Sequence, residues 1–349
     1  MKKMLRVSML RLLKSAFVFD SWRYLHRNDI VILMLHGTSD PKHPSTWTPL
    51  RPQYSSEYID WCMGIISKYY RFIHFEEAVN ILKGMKPSME YGITITMDDG
   101  YRNNIVDALP VFRKYNAPMT IFLPAANIEN RTPMWFDRLD YIIQMANHNG
   151  KKFNIGNDTF SFSAKGRDDL IASYASFREM IKKQYTDEEA FYAKIDEIVS
   201  YFEYSSGKSL VNIFENDPWS LLLNWEEIKK YQGEEVQFGS HTMNHYRVNG
   251  LKEDTLRHQL FESKKLIETR TGNACNYIAY PDGDCSVTAK NMAFESGYDA
   301  GVTTSEGINK IGCDTMTLKR VYLPLTTDKT ELLAYVSGFS KAVSYSKQE

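Results

Sequence analysis

The chain has 349 residues, 43% of them hydrophobic and 24% charged, enough to bury the core of one large domain or two smaller ones. Its 42 Lys and Arg nearly balance 43 Asp and Glu, so the net charge of −1 lacks the basic excess of a nucleic-acid binder and no nucleic-acid partner is expected. The four cysteines, Cys62, Cys275, Cys285 and Cys313, contain no Cys-x-x-Cys pair, which argues against a cysteine zinc site and for free thiols in a reducing compartment, with a Cys275–Cys285 bridge left open.

Residues 1–19 mix apolar side chains with Lys2, Lys3, Arg6, Arg11 and Lys14. Those cations interrupt any apolar core, so a cleaved signal peptide fits poorly, and no run of ~18 apolar residues offers a spanning helix. At ~100° per residue, Leu5, Met9, Leu12 and Ala16 share one side. Residues 1–24 therefore form a basic amphipathic segment that either packs on the domain or frays, or rests peripherally on an anionic membrane surface. Without a signal peptide, the expected location is the cytoplasm, with membrane association as a variant of it.

The continuous apolar run at 30–35, IVILML, is bounded by Arg27-Asn28-Asp29 and by His36-Gly37 and predicts a buried strand ending at a functional edge. A helix over 55–70 follows, with Tyr58, Ile59, Met63 and Ile66 at helical spacing, and a shorter one over 75–82. Residues 92–97, GITITM, predict a second buried strand stopped by Asp98-Asp99-Gly100; a helix over 104–115, broken at Pro110, leads to a third strand over 118–123. Strand, helix, strand implies parallel crossovers. Residues 127–218 read as a mainly helical insertion in a domain running from 25 to 345. Beyond it come a helix over 225–231, a strand over 235–238, a long charged helix over 253–271, strands over 277–280, 300–304 and 320–323, and a helix over 331–339. This alternation favours an α/β barrel over a doubly wound sheet, although periodicity alone does not separate the two.

Three clusters of polar residues follow predicted strands, where parallel α/β folds gather their chemistry. The first is Thr96-Met97-Asp98-Asp99-Gly100: of two adjacent carboxylates, one can hold a metal while the other moves a proton, and Gly100 permits a sharp turn. Alone it is also what any acidic turn looks like. The second is Ser240-His241-Thr242-Met243-Asn244-His245; at an i,i+4 spacing on one helical turn His241 and His245 would point the same way and share a cation, though a lone pair of this kind is more often two surface histidines. Together, one carboxylate and two imidazoles make a three-ligand set with open positions, suited to zinc and, by the same geometry, to iron, cobalt or nickel. The third is Ala279-Tyr280-Pro281-Asp282-Gly283-Asp284, a turn whose projecting amide can donate to an oxyanion and which, taken alone, is an ordinary turn.

In this order, TMDDG, SHTMNH and AYPDG resemble the motifs of the NodB-type polysaccharide deacetylases, as do Leu223-Asn224-Trp225-Glu226-Glu227-Ile228, Glu295-Ser296-Gly297-Tyr298 and Val302-Thr303-Thr304. The resemblance covers residues 30–125 and 222–340. It implies a distorted (β/α) barrel with fewer than eight regular strands, and an enzyme that removes N-acetyl groups from an amino-sugar polysaccharide or a lipid-linked glycan precursor, as in exopolysaccharide biosynthesis. By match to the motifs, Asp98 is the general base, Asp99, His241 and His245 hold a divalent metal (Zn2+, with Co2+ or Ni2+ as alternatives), and the Asp282 N–H helps stabilise the oxyanion.

The chain also departs from the family pattern. It lacks the late Leu-x-His motif that supplies a general acid; His36, after the first strand, resembles the Tyr-His segment at the start of circularly permuted members such as the poly-N-acetylglucosamine deacetylases and is the candidate acid. No arginine precedes Pro281, so Arg320 is the candidate partner of the base. Met97, Asp282 and Tyr246 replace a phenylalanine, an aromatic residue and a proline, which bears on substrate preference more than on reaction type. Trp135 and Trp219 are candidates for a sugar groove, with packing the commoner role. Two other readings stand beside amide hydrolysis: O-acetyl ester hydrolysis on a polysaccharide, where the acid matters less, and a non-catalytic carbohydrate-binding relative, which the presence of all four metal-centre residues disfavours.

Overall fold

Seven parallel strands follow one another around a closed barrel in a computed structural model that describes residues 18–149, 152–155, 158–161, 163–283 and 285–339. They are β1 (Val31–Leu35), β2 (Gly92–Met97), β3 (Met119–Leu123), β4 (Val236–Ser240), β5 (Tyr277–Ala279), β6 (Ala300–Glu306) and β7 (Leu318–Tyr322). Each pairs with its sequence neighbour, and β1 closes the ring by pairing β2 from Val31↔Ile93 to Leu35↔Met97 on one side and β7 at Leu33↔Val321 on the other. Every residue of β1, β2 and β3 is buried, because helices cover the outside and side chains fill the inside. The barrel and its strand count match the expectation, and all the C-terminal strand ends meet on one rim.

The helices follow the sequence pattern with local changes of length. The helix expected over 55–70 spans Ser56–Ile66, capped by the Ser55 hydroxyl accepting from Tyr58 N; beyond it Arg71–Phe72 leaves to pair with the start of β2. The break foreseen at Pro110 takes the form of a widened π turn, Asn104–Ala108, leading into Leu109–Arg113, since Pro110 has no N–H to donate. A similar π segment, His258–Glu262, interrupts the long helix between Glu253–Arg257 and Ser263–Thr271.

Residues 127–218 are mainly helical, with Trp135–Asn149, Arg167–Gln184, Glu188–Ser206 and Leu210–Phe214, and they add a two-stranded antiparallel hairpin, Lys152–Ile155 with Asp158–Ser161, that the periodicity did not indicate. Phe191, Ile195, Ile198 and Phe202 line one face of Glu188–Ser206 and are buried, each contributing roughly 1.5–3 kcal/mol of apolar transfer energy. Residues 1–17 of the basic segment lie outside the described residues. The helix that follows, Val18–Leu25, is fastened by Trp22 Nε1 donating to Ser337 O at 3.0 Å. Among the described residues no helix is long and apolar enough to cross a membrane and no cysteine is in a disulfide, so the bridge between Cys275 and Cys285 is not formed.

Candidate metal centre and active site

The acidic pair sits at the end of β2, in a turn that the neighbouring loop holds from both sides. Asp98 N donates to Leu35 O at 3.0 Å, Leu223 N to Gly100 O at 2.9 Å and Arg102 N to Leu221 O at 2.8 Å. Asp99 is left-handed at φ 72° and Gly100 at φ 66°, so the turn carries a non-glycine residue in a conformation that costs energy unless its surroundings impose it. Both carboxylates are buried, yet their surroundings differ.

Asp98 is gripped by Arg320. The guanidinium donates from Nη1 to Oδ1 and from Nη2 to Oδ2, each at 2.7 Å, and its Nε donates to Thr303 O at 2.8 Å. Arg320 is 0% exposed, the largest fully buried side chain. The β6–β7 pairing shifts register between Val302 and Glu306, next to the Thr303 carbonyl that Arg320 uses. Burial alone would raise the Asp98 carboxyl; the Arg320 cation, then His241, outweigh it and hold the group below its usual range, so it is an ionised base.

Neither oxygen of Asp99 has a hydrogen-bond partner, although both are buried. Oδ1 instead faces His241 Nε2 at 3.5 Å and His245 Nε2 at 3.4 Å. One ligand atom from each of the three residues lies within 4.8 Å of the others. The other nitrogen of His241, Nδ1, lies 2.7 Å from Ala279 O, which can only accept, so Nδ1 carries a proton and Nε2 is the ring atom turned to Asp99 and available to a cation. A buried carboxylate without donors, facing imidazole nitrogens, is a set of acceptors that a divalent cation satisfies. The residues present therefore fit a metal.

The two histidines reach this arrangement differently from the helical turn expected of their spacing. Residues 241–249 form a loop, with Thr242 at φ 66° and His245 at φ 58°. Side-chain bonds replace helical ones: Ser240 Oγ accepts from Thr242 N at 3.1 Å, and Asn244 N donates to Gln259 Oε1 at 2.9 Å. The rings end up 4.7 Å apart at 83°.

His36 follows β1 and brings its Nε2 to 4.0 Å from Asp98 Oδ2, with the side chain 39% exposed. Partial desolvation at the strand end lowers its pKa, and the Asp99 and Asp98 carboxylates only partly restore it. Trp219 packs on the adjoining Gly37, where an added Cβ would stand 2.8 Å from the indole. Asp282 lies in the turn after β5 at φ 55°; the following Gly283, at φ 72°, has no room for a Cβ, which would meet Thr304 N at 2.2 Å. Thr304 Oγ1 donates to Asp282 O at 2.9 Å, and the Asp282 carboxylate pairs with Lys182 at 2.5 Å. Trp135 and Trp219 are each only 4% exposed and serve packing.

Several residues that sequence reasoning passed over complete the mouth. Arg51 donates at 2.7 Å to both Tyr101 Oη and Asp137 Oδ1, lies 3.9 Å from the Phe136 ring centroid and stands 4.0 Å from Asp99 Oδ2. The Phe136 ring meets His245 edge-on at 5.6 Å, and Tyr192 Oη donates to His245 O at 3.0 Å. Phe136, Asp137, Lys182 and Tyr192 all belong to the stretch 127–218, so the insertion forms one wall of the site. Nothing in the sequence set Asp137 apart, since Arg138 and Asp140 stand beside it on the same stretch.

A seven-stranded α/β barrel carrying an Asp-His-His cluster and a separately held carboxylate at its C-terminal rim is the class that fold and site define. The chain matches the family described as polysaccharide deacetylase over residues 86–217 and 211–301, and it belongs to that family. YxkH of Bacillus subtilis (strain 168), whose assigned name places it among polysaccharide deacetylases, is 31% identical over 85 residues; the match spans 24% of this chain and 30% of that relative's length. Among solved structures, the fold is similar to the deacetylase PplD of Streptococcus pyogenes in complex with acetate (TM-score 0.57, 16% identity, 88% of this chain and 98% of the other). It is also similar to IcaB from Ammonifex degensii (TM-score 0.55, 17% identity, 88% and 97%). At these identities the likeness is one of fold.

Proposed function

We propose that this protein is a metal-dependent hydrolase that removes N-acetyl groups from an amino-sugar polysaccharide or a lipid-linked precursor of one, as a step in making an exported polysaccharide. The observation that carries this reading is the division of labour in the acidic pair: Asp98 saturated by Arg320, Asp99 buried without a donor against two imidazoles. Asp99, His241 and His245 would hold a divalent cation, zinc first by ligand type and cobalt or nickel by the same geometry. Once bound, such a cation supplies Lewis acidity to water and to an acetyl carbonyl. Asp98 takes the proton of the attacking water, and Arg320 keeps it aimed and ionised. The Asp282 N–H donates to the developing oxyanion. His36, once it carries a proton, gives it to the amine nitrogen as the carbon–nitrogen bond breaks, leaving acetate and a free amine.

The test is acetate release from an N-acetylated glycan by zinc-loaded protein against chelator-stripped protein. Stripping is expected to abolish release and zinc to restore it, while Asp98→Asn binds zinc and releases at most ~1% of the wild-type acetate, the scale of a lost general base. Full activity after stripping, or substantial activity in Asp98→Asn, would remove the metal or the base from the scheme. The same protein with His36→Ala, given an O-acetyl ester beside the amide, separates the two leaving groups: the amide rate is expected to fall far more. Equal retention of both would assign the acid elsewhere and favour the ester.

A further inference from the structure

Apart from Asp99 at the candidate metal centre, the charged side chains described around the mouth pair off, and Arg178 departs from that pattern. Arg320 holds Asp98, Arg51 holds Asp137, Arg247 holds Glu188 and Lys182 holds Asp282. Arg178 has no hydrogen bond or carboxylate partner among the described residues, and its Nε is buried without one. Its guanidinium is set by ring faces instead, with Cζ 5.3 Å from the centroid of Trp135, 5.4 Å from Tyr174 and 5.9 Å from Phe136. Phe136 is the ring that touches His245, so Arg178 stands one side chain away from the candidate metal centre. Lys182 lies four residues further along the same helix, on the same face, and its partner Asp282 is partly exposed.

An arginine clamped by aromatic faces pays its ordering entropy before any ligand arrives, and its free edge offers parallel donors matched to a carboxylate or phosphate. The buried Nε–H lacks an acceptor, which is costly, and an oxygen of an anionic ligand removes that cost. We propose that Arg178, supported by Lys182, is a subsite for an anionic group, carboxylate or phosphate, on the unit next to the sugar that loses its acetyl group. The inference rests on the deacetylase reading and narrows its substrate class to anionic glycans: N-acetylated polymers containing uronic acid or joined by phosphodiesters.

Three oligomers separate the sources of charge: neutral N-acetylchitotetraose, a tetrasaccharide alternating N-acetylglucosamine with glucuronate, and an N-acetylglucosamine 1-phosphate oligomer. Binding is read by calorimetry in the zinc-loaded full chain carrying Asp98→Asn, which prevents turnover, and acetate release is read in parallel with the native residue at position 98. At least one anionic oligomer is expected to bind ~10–100-fold more tightly than the neutral one at low salt, the value of one charge-assisted contact. Arg178→Gln is expected to bring that ratio close to one, and Arg178→Lys to keep part of it. Equal binding of all three oligomers, or an equal loss on all three in Arg178→Gln, overturns the subsite. Should Arg178→Gln fail to fold by circular dichroism, Lys182→Gln decides: a ratio reduced about threefold or more supports the subsite, an unchanged ratio overturns it. Anion preference without acetate release from any oligomer would strike the deacetylase reading alone, and acetate release without anion preference would strike the subsite alone.

Discussion

The two sides of the barrel mouth hold their charges differently. On the side made by β1, β2, β6 and β7, the Asp98 carboxylate and the Arg320 guanidinium satisfy each other, with the Thr303 carbonyl taking up Nε. On the side covered by residues 127–218, acceptors and donors are left open: both Asp99 oxygens, His245 Nδ1 and Arg178 Nε are buried without partners. The first side is a finished framework, since a buried ion pair survives only when its geometry and remaining bonds are complete. The second is arranged for something that arrives later. Ligand-binding energy can be deposited only where bonds are still to be made.

The largest expected effect tests whether the strand side is as closed as it looks. Replacing Arg320 with Met leaves Asp98 buried and unpaired, which should cost ~3–5 kcal/mol in chemical denaturation. Combining Arg320→Met with Asp98→Leu removes both charges and should recover most of that loss. If the double variant is no more stable than the single one, the pair is not what closes this side of the mouth.

The strand side is also the side that was legible in the sequence. Continuous apolar runs ending at His36 and at Asp98-Asp99 marked strands opening onto chemistry, because a fully buried parallel strand needs apolar side chains on both faces and its polar residues can appear only at its end. Arg320 could be named as the partner of Asp98 because a buried base needs an orienting cation and the usual position lacked one; that it closes a two-pronged bond across a register shift was not legible. The histidine pair was legible as a pair but not as a loop. An i,i+4 spacing is equally consistent with one helical turn and with the left-handed kinks at Thr242 and His245, which depend on Ser240 and on Gln259 from another element. Arg51, Asp137 and Tyr192 were invisible for the same reason: each acts through partners far away in the chain, and no local pattern marks such contacts.

A smaller effect sharpens the comparison on the insertion side. Asp140 is fully buried on the helix Trp135–Asn149 and accepts from Leu50 N at 2.7 Å, which fastens the backbone just before Arg51. Burial pushes its pKa up to about 7, from an unfolded value of 3.8. The native state therefore holds this proton through a window in which the unfolded chain has released it, so stability from this group falls as pH rises from about 4 to about 7 and is level above that. Asp140→Asn should gain stability relative to the wild type as pH rises through that window, at up to ~1.4 kcal/mol per pH unit. Parallel stability–pH curves for the two proteins would mean that Asp140 is ionised in the native state and that the insertion is fastened by a charge after all.

The smallest effect asks whether the insertion merely covers the histidines or holds one of them. The Tyr192 hydroxyl donates to the carbonyl of His245, a residue kept at φ 58°, while the Tyr192 ring rests on Tyr246 at 4.7 Å. Tyr192→Phe keeps the ring and removes only the donor, so the expected loss is ~1 kcal/mol of stability. If that bond fixes the His245 backbone, zinc affinity should weaken several-fold in the same variant, as happens when groups behind a metal ligand are removed. A variant with the stability loss and unchanged zinc affinity would make the insertion a cover. One with both would make His245 a joint product of barrel and insertion, and the open side of the mouth would then be positioned by residues 127–218 as well as by the strand ends.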